Sequence, residues 1–270
     1  VDATVELLDC DREQLLDDFR KVHQKHHNSE HPFSLLETDT VTSKFPNLSR
    51  KELMGQLDEA FHAFNSTRKR TLNLYQNVRP TLDKLQNSDV ILVAHTESNL
   101  YSALDRLRRL ELMDYFSHIY CRERPEIDHP NSNNKENWLA EFPMDRVQEL
   151  SHHQSKPNTN VLLEICRVES VPPEEVAYVG DSVARDILMA KRANVFAIWA
   201  AYGTRHSEAE YAKLVRVTHW TPEDVVLEQK LKEEASKIQP DFIAEDAFSQ
   251  VLDALGIDGG ELPKSQFMAT

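Results

Sequence analysis

The chain has 270 residues, 40% of them hydrophobic and 28% charged, the balance of a folded globular chain, which excludes wholesale disorder. Its 31 Lys and Arg against 45 Asp and Glu leave a formal charge of −14, which argues against a general nucleic-acid binder, because a phosphate backbone needs a basic face. The length suits one large domain, or a domain with a smaller insert. No apolar run approaches the ~18 residues of a membrane span; the longest, such as Val90-Ile91-Leu92-Val93-Ala94, are strand-sized. Cys10, Cys121 and Cys166 are far apart and form no C-x-x-C pair, so they fit a reducing compartment, the cytoplasm, better than a disulfide framework or a structural zinc site.

Val1-Asp2-Ala3-Thr4-Val5 carries neither an initiator Met nor a charged-then-apolar leader, and reads as a chain entered inside an element rather than as a signal peptide. Leu15, Leu16, Phe19 and Val22, then Leu53, Leu57, Ala60, Phe61 and Phe64, recur at helical spacing and predict a helical region over about 11–85, broken at the polar segment His26 to Pro32. From Val90 the pattern changes. Val90 to Ala94 is expected as a buried strand, followed by a polar stop at His95-Thr96-Glu97-Ser98. Leu100, Ala103, Leu104, Leu107 and Leu110 then mark an amphipathic helix. Between Cys121 and Lys156 lies an insertion-like stretch with Pro125, Pro130, Asn131, Asn133 and Asn134 and one apolar island, Trp138-Leu139 with Phe142. A loop this long is either functional, here a substrate-side lid, or surface decoration. Further on come a helix through Val161, Leu162, Ile165 and Val168, a strand Val176–Val179, a helix with Ile187 and Ala190, and a strand Val195–Trp199. A charged helix over 223–238, a last strand over 241–244, a last helix over 248–255 and a disordered tail after Ile257 complete the reading. Strand–helix–strand alternation implies parallel strands with right-handed crossovers, an open α/β sheet whose ligands bind at the carboxyl ends of the strands.

Three sets of polar residues fall at those ends. Thr96 follows the first strand, where its hydroxyl and the free amides of the next helix would cradle an anion, or simply cap the helix. Lys156, in Ser155-Lys156-Pro157, precedes the Val161 helix; proline fixes a helix start, and the lysine is either a partner for a phosphate or carboxylate or a solvated surface cation. Gly180-Asp181-Ser182-Val183-Ala184-Arg185-Asp186 follows the Val176 strand. Its two carboxylates make a hard oxygen site suited to Mg²⁺, with Asp186 reaching the metal directly or through water. Uncompensated they would repel, so a metal or Lys156 should neutralise them. His23, His26, His27 and His31 cluster as well, and are expected at a solvated helix end rather than at a second metal site.

The order Thr96, Lys156-Pro157, Gly180-Asp181-Ser182-x-x-x-Asp186 on successive strand ends resembles the haloacid dehalogenase-like hydrolase superfamily over roughly Leu74 to Leu255. So do Arg79-Pro80-Thr81-Leu82-Asp83-Lys84-Leu85 before the first strand, Val171-Pro172-Pro173-Glu174-Glu175-Val176 before the Gly180 strand, and the closing strand and helix. The resemblance implies a Rossmann-like parallel sheet core in a three-layer α/β/α arrangement with an inserted α-helical cap. It divides the chain into the start of the core over 1–8 with its first strand cut short, the cap over 9–74, and the catalytic core over 75–256 with a loop insertion at about 121–155. It also implies a Mg²⁺-dependent phosphohydrolase acting on a small phosphorylated metabolite through an aspartyl-phosphate. The partners expected are a small phosphorylated substrate and, at most, a second copy of the chain, the protein being a monomer or homodimer. Asp2 would then be the general acid/base and a metal ligand with Asp181 and Asp186, while Thr96, Glu97, Ser98 and Lys156 would hold the phosphate. On this mapping Asp2-Ala3-Thr4-Val5 is the second half of the family's Asp-x-Asp-x-Thr/Val motif, and the nucleophile sits immediately before Val1. A second mapping takes Thr4 to Leu8 as the strand and Asp9 and Asp11 as the paired carboxylates, with Glu13 where the family has Thr or Val. A phosphomutase or dehalogenase on the same scaffold, or an inactive binding protein, remains the alternative.

Overall fold

The computed structural model describes residues 1–31, 33–124, 138–205 and 207–257. Its first part is a helical unit: α1 (Asp2–Leu8), α2 (Arg12–Lys25), α3 (Asp39–Lys44), α4 (Arg50–Gln56) and α5 (Asp58–Thr71). Local sequence sets the helix starts. The Asp11 carboxylate caps α2 by accepting from the Gln14 amide at 2.8 Å, and Ser49 and Glu52 form a capping box at α4. The apolar faces close on one another around Leu8, Leu15, Leu35, Leu36, Val41, Leu53, Leu57 and Ala60. One buried carboxylate sits in this unit: Asp18 accepts from Gln14 Nε2 and from the amide and hydroxyl of Thr40, all at 2.7–2.8 Å, which ties α2 to α3.

The rest alternates. After α6 (Val78–Gln86) come β1 (Val93–Asn99), α7 (Leu100–Arg109), β2 (His118–Arg122), β3 (Val147–Leu150) and α8 (Thr159–Val168). Next are β4 (Ala177–Gly180), a π-helical turn (Val183–Ile187) running into α9 (Leu188–Arg192), and β5 (Phe196–Ala200). Then follow α10 (Glu208–Arg216), α11 (Pro222–Ala235), β6 (Phe242–Ala244) and α12 (Gln250–Leu255). The strands form two parallel sheets, β1-β2-β3 and β4-β5-β6, with Ala94 opposite Ile119 and Val179 opposite Ile198. This is the α/β architecture expected from the alternation, and the cores lie where flanking helices cover the strands, as with Leu100, Leu104, Ile119 and Val147. Cys121 and Cys166 are buried and all three cysteines are free, with burial pushing the Cys121 thiol up to about 12. No described helix is long and apolar enough to cross a membrane.

Three expectations change. Residues 2–8 form a helix, not the end of a core strand, so both strand mappings of the N-terminal segment fail. Thr4, Val5 and Leu8 share one helical face, which packs into the core of the helical unit, and the carboxylate of Asp2 pairs with Arg12 at 2.5 Å instead of facing a strand end. The first strand begins at Val93, three residues late, and runs on through Thr96; Ile91 is left 51% exposed. The cause is that, among the described residues, β1 is laddered to β2 alone and no ladder joins it to β4, so β1 is half-buried rather than covered on both faces. Within the stretch expected as a loop insertion, residues 147–150 pair with β2 as β3, and Trp138, Leu139 and Phe142 pack against the α7–β2 core. Pro125, Pro130, Asn131, Asn133 and Asn134 lie outside the described residues, as does the tail from 258.

Leu15 is fully buried in the helical unit, and its replacement leaves a cavity there. Leu15→Ala is expected to cost about 2–5 kcal/mol in urea unfolding of the whole chain. A cost near zero would show that these helices do not share a packed core.

Candidate active site

The polar cluster lies at the carboxyl ends of β1, β2 and β4. Asn158 caps α8 by accepting from the Val161 amide at 3.2 Å, which fixes the loop carrying Lys156 against the sheet ends. The Lys156 ammonium, nearly buried, donates to Asp186 Oδ1 at 2.9 Å and to the backbone carbonyl of His95 at 3.1 Å, and lies 5.4 Å from the centre of the Tyr178 ring. Asp186 Oδ2 accepts from the Ser182 amide at 3.0 Å. Gly180 makes this possible: a Cβ there would stand 2.3 Å from Asp186 Cβ, so any side chain would push the carboxylate out of place. Asp181 stands at the lip, its carbonyl accepting from Trp199 Nε1 at 3.0 Å.

The protonation states follow from burial and charge. Burial, then the neighbouring charge of Asp186, raise the Asp181 carboxyl above its usual range. Burial opposes the charge on Lys156, but Tyr178 and Asp186 outweigh it and keep the group protonated. Burial, assisted by the Lys156 charge, drops His95 to about 3, so this imidazole is neutral. Its Nδ1 lies 3.1 Å from the Tyr178 hydroxyl, and its Nε2 is buried without a partner. Burial, then Tyr75 and Asp181, push the Tyr202 hydroxyl up to about 12 beside the lip.

The sequence matches the haloacid dehalogenase-like hydrolase family over residues 13–194, about two thirds of the chain, and a second HAD-hydrolase-like model over 153–247. The chain belongs to the haloacid dehalogenase-like hydrolase family. It is similar to a glyceraldehyde 3-phosphate phosphatase of Methanopyrus kandleri, 26% identical over 192 residues that cover 70% of this chain and 67% of that protein. The glyceraldehyde 3-phosphate phosphatase of Pyrococcus furiosus is 23% identical over 141 residues, 52% of this chain and 48% of that protein. Among solved structures, a 2-haloacid dehalogenase from Pseudomonas syringae is 18% identical, covering 94% of this chain and 84% of its own, with a TM-score of 0.49.

Of the residues expected at the family's site, Lys156, Asp181 and Asp186 converge. Thr96, Glu97 and Ser98 lie in β1 beside them but are arranged differently from expectation. Asn99, not Thr96, caps α7, accepting from the Ser102 amide at 3.1 Å, because the strand runs on past Thr96. Thr96 Oγ1 instead accepts from the Ser98 amide at 3.1 Å, and Ser98 Oγ accepts from Arg106 at 2.7 Å. Asp2 stands apart, its charged partners being Arg12, the amino terminus and Lys213, and Asp11 is spent on capping α2. Of the four histidines His27 is exposed, but His23 and His31 are buried and His26 half-buried, so the cluster as a whole is not a solvated helix end. His26 and His31 stack at 3.5 Å, and both reach Glu37, at 2.8 and 3.1 Å, together with Lys25 at 2.9 Å. These three side chains bring possible ligand atoms within 4.8 Å of one another, and in the structure Lys25 and the two imidazoles hold Glu37 as a clamp on the turn after α2. Sequence reasoning missed Tyr178, Arg122 and Arg185. Arg122 ends β2, a strand whose carboxyl end is the signal that pointed to the others, and Arg185 lies between the two acidic residues already singled out.

His95 has an ordinary value of 6.5 when unfolded and about 3 when folded, so between those values the unfolded chain binds the extra proton. The contribution is intact above pH 6.5 and is lost as pH falls toward 3. Urea midpoints measured from pH 7.5 to 5 should therefore decline, and His95→Gln should make that decline shallower by about 1.4 kcal/mol per pH unit at the acid end. An unaltered slope in the variant would show that His95 is free to protonate.

Proposed function

We propose that this hydrolase is a Mg²⁺-dependent phosphohydrolase acting on a small phosphorylated metabolite through an aspartyl-phosphate. One observation carries the reading: a buried Lys156–Asp186 pair beneath Gly180, with the carboxyl of Asp181 raised beside it by burial and, after that, by the charge of Asp186. A pair of carboxylates with one shared cation and an excess of negative charge suits a hard divalent ion, and the donor set fits Mg²⁺. Asp181 would hold the ion and Asp186 would support it; when bound, the ion neutralises phosphate oxygens and orients attack. The chain's own groups then have separate tasks. Lys156 balances charge on the phosphate while Asp186 fixes its ammonium. The Thr96 hydroxyl, close behind on β1, supplies a short polar contact, and the neutral His95 adds no positive charge to compete with the lysine.

The attacking group is a carboxylate. Among the described residues Asp186 is committed to Lys156 and Ser182, so it is not available to attack. The similarity to two glyceraldehyde 3-phosphate phosphatases supports phosphate monoesters of small carbon skeletons as substrates.

Release of inorganic phosphate from a panel of triose and sugar phosphates, glyceraldehyde 3-phosphate included, should require Mg²⁺ and stop with EDTA. Asp181→Asn and Lys156→Ala should each lower that rate by about 10²–10³-fold with an unchanged circular dichroism spectrum. Turnover that survives EDTA and Asp181→Asn would remove the metal and Asp181 from the mechanism.

A further inference from the structure

Beside the lysine the strand ends carry a second cationic feature that hydrolysis of a simple phosphate ester does not need. Arg122, at the end of β2, is held by partners on two sides. It donates to Ser155 Oγ at 2.7 Å, and its other terminal nitrogen bonds His152 Nδ1 at 2.7 Å. Arg185, in the π-helical turn, donates to Glu228 Oε2 from Nε at 3.2 Å and from a terminal nitrogen at 3.0 Å, with its guanidinium 5.7 Å from the Trp220 ring centre. Between the two arginines lies a single carboxylate oxygen, Glu97 Oε2, 3.4 Å from Arg122 and 4.0 Å from Arg185. Those separations are long for charge-assisted bonds, which close to about 2.7–2.9 Å. The other oxygen, Oε1, accepts from the backbone amide of Lys156 at 3.2 Å. Glu97 thus fills a place shaped for a carboxylate without satisfying it, and its partly exposed side chain is able to swing into solvent. The arginines do not depend on it for their positions, because Ser155, His152, Glu228 and Trp220 hold them.

We propose that Arg122 and Arg185 seat a carboxylate of the substrate in place of the Glu97 side chain, so that the substrate is a short phosphorylated hydroxy acid. The inference rests on the proposed function above, since it sets the phosphate at the Lys156 ammonium and the carboxylate at the same residue's backbone amide. One lysine separates the two seats, which suits a skeleton of few carbons. A planar carboxylate matches the fork of a guanidinium and replaces Glu97 charge for charge, so no buried cation is left unpaired during exchange.

Calorimetric titration of the full chain in excess Mg²⁺ with two ligands that cannot be hydrolysed separates the seats: methylphosphonate offers one anionic group and phosphonoacetate adds a carboxylate. Phosphonoacetate is expected to bind about tenfold more tightly or better, as one or two charge-assisted bonds warrant. In Arg122→Gln the ratio of the two dissociation constants should fall toward one. Glu97→Gln, a change at the exposed side of the site, should tighten phosphonoacetate binding by removing its competitor. Equal affinities for the two ligands, or a ratio that survives Arg122→Gln, would overturn the carboxylate seat while leaving the phosphate site standing. Failure of the parent chain to bind either ligand would overturn the phosphate site itself, and the carboxylate seat with it.

Discussion

The Lys156 ammonium is the tie on which the site depends. Two parallel sheets meet without a hydrogen-bonded ladder between β1 and β4, and this one cation reaches both, donating to a carbonyl on the unpaired edge of β1 and to Asp186 beneath the end of β4. Burying an ammonium is costly unless its partners are close and well aimed. That requirement explains the construction around it. Gly180 has no Cβ where Asp186 must pass, the π-helical turn brings Asp186 back under the strand end, and the Ser182 amide occupies the second carboxylate oxygen. Each would be an oddity alone; together they hold one charge pair at one place.

The helical unit meets this core in a different way. Within itself it is apolar, closed around Leu15, Leu57 and Val41, but its contacts to the rest of the chain are mostly polar. Arg106 bonds Glu30 at 2.5 Å, Arg68 pairs with Asp105, His23 Nδ1 meets the Val217 carbonyl at 2.7 Å, and Gln24 donates to the Trp220 carbonyl at 3.1 Å. Arg216 pairs with Asp17 at 2.6 Å. Polar junctions of this kind join units that each have their own core, and they exchange with water at little cost, which makes reorientation between units the default. Several of the contacts converge near the strand ends, since Asn99 and Arg106 both reach Glu30 next to Thr96 and Ser98.

Net charge and local charge point in opposite directions in this protein. The chain as a whole is strongly acidic, at −14, yet its strand ends gather Lys156, Arg122 and Arg185 within reach of one another through Glu97. Their positive charge is answered residue by residue, by Asp186, Glu97 and Glu228. An acidic surface with a compensated cationic mouth disfavours a long polyanion and leaves room for a small one.

The alternation of strand and helix from β1 onward, the parallel sheets and the set Lys156, Asp181 and Asp186 were legible in the sequence, because apolar periodicity and a Gly-Asp turn after an apolar run are local signals. What the periodicity did not decide was pairing. Asp2-Ala3-Thr4-Val5 satisfies a strand motif by residue type, but Thr4, Val5 and Leu8 also line one face of a helix, and the core of the helical unit took that face. The strand through Thr96 shifted by three residues because only one of its edges is laddered, and the cap of α7 moved with it to Asn99. Tyr178 and Glu37 carried no distinguishing sequence mark, and Arg122 and Arg185 only their positions at a strand end and inside the acidic turn, since such residues gain their roles from the charges brought next to them. From residue 156 onward sequence alone indicated the order of helices and strands and placed Asp181 and Asp186 after a strand, since both follow from neighbours a few residues away. Only the tertiary structure decided which charges face each other, because pairs such as Lys156–Asp186 and Arg106–Glu30, 30 and 76 positions apart, are set by how the sheets and helices pack.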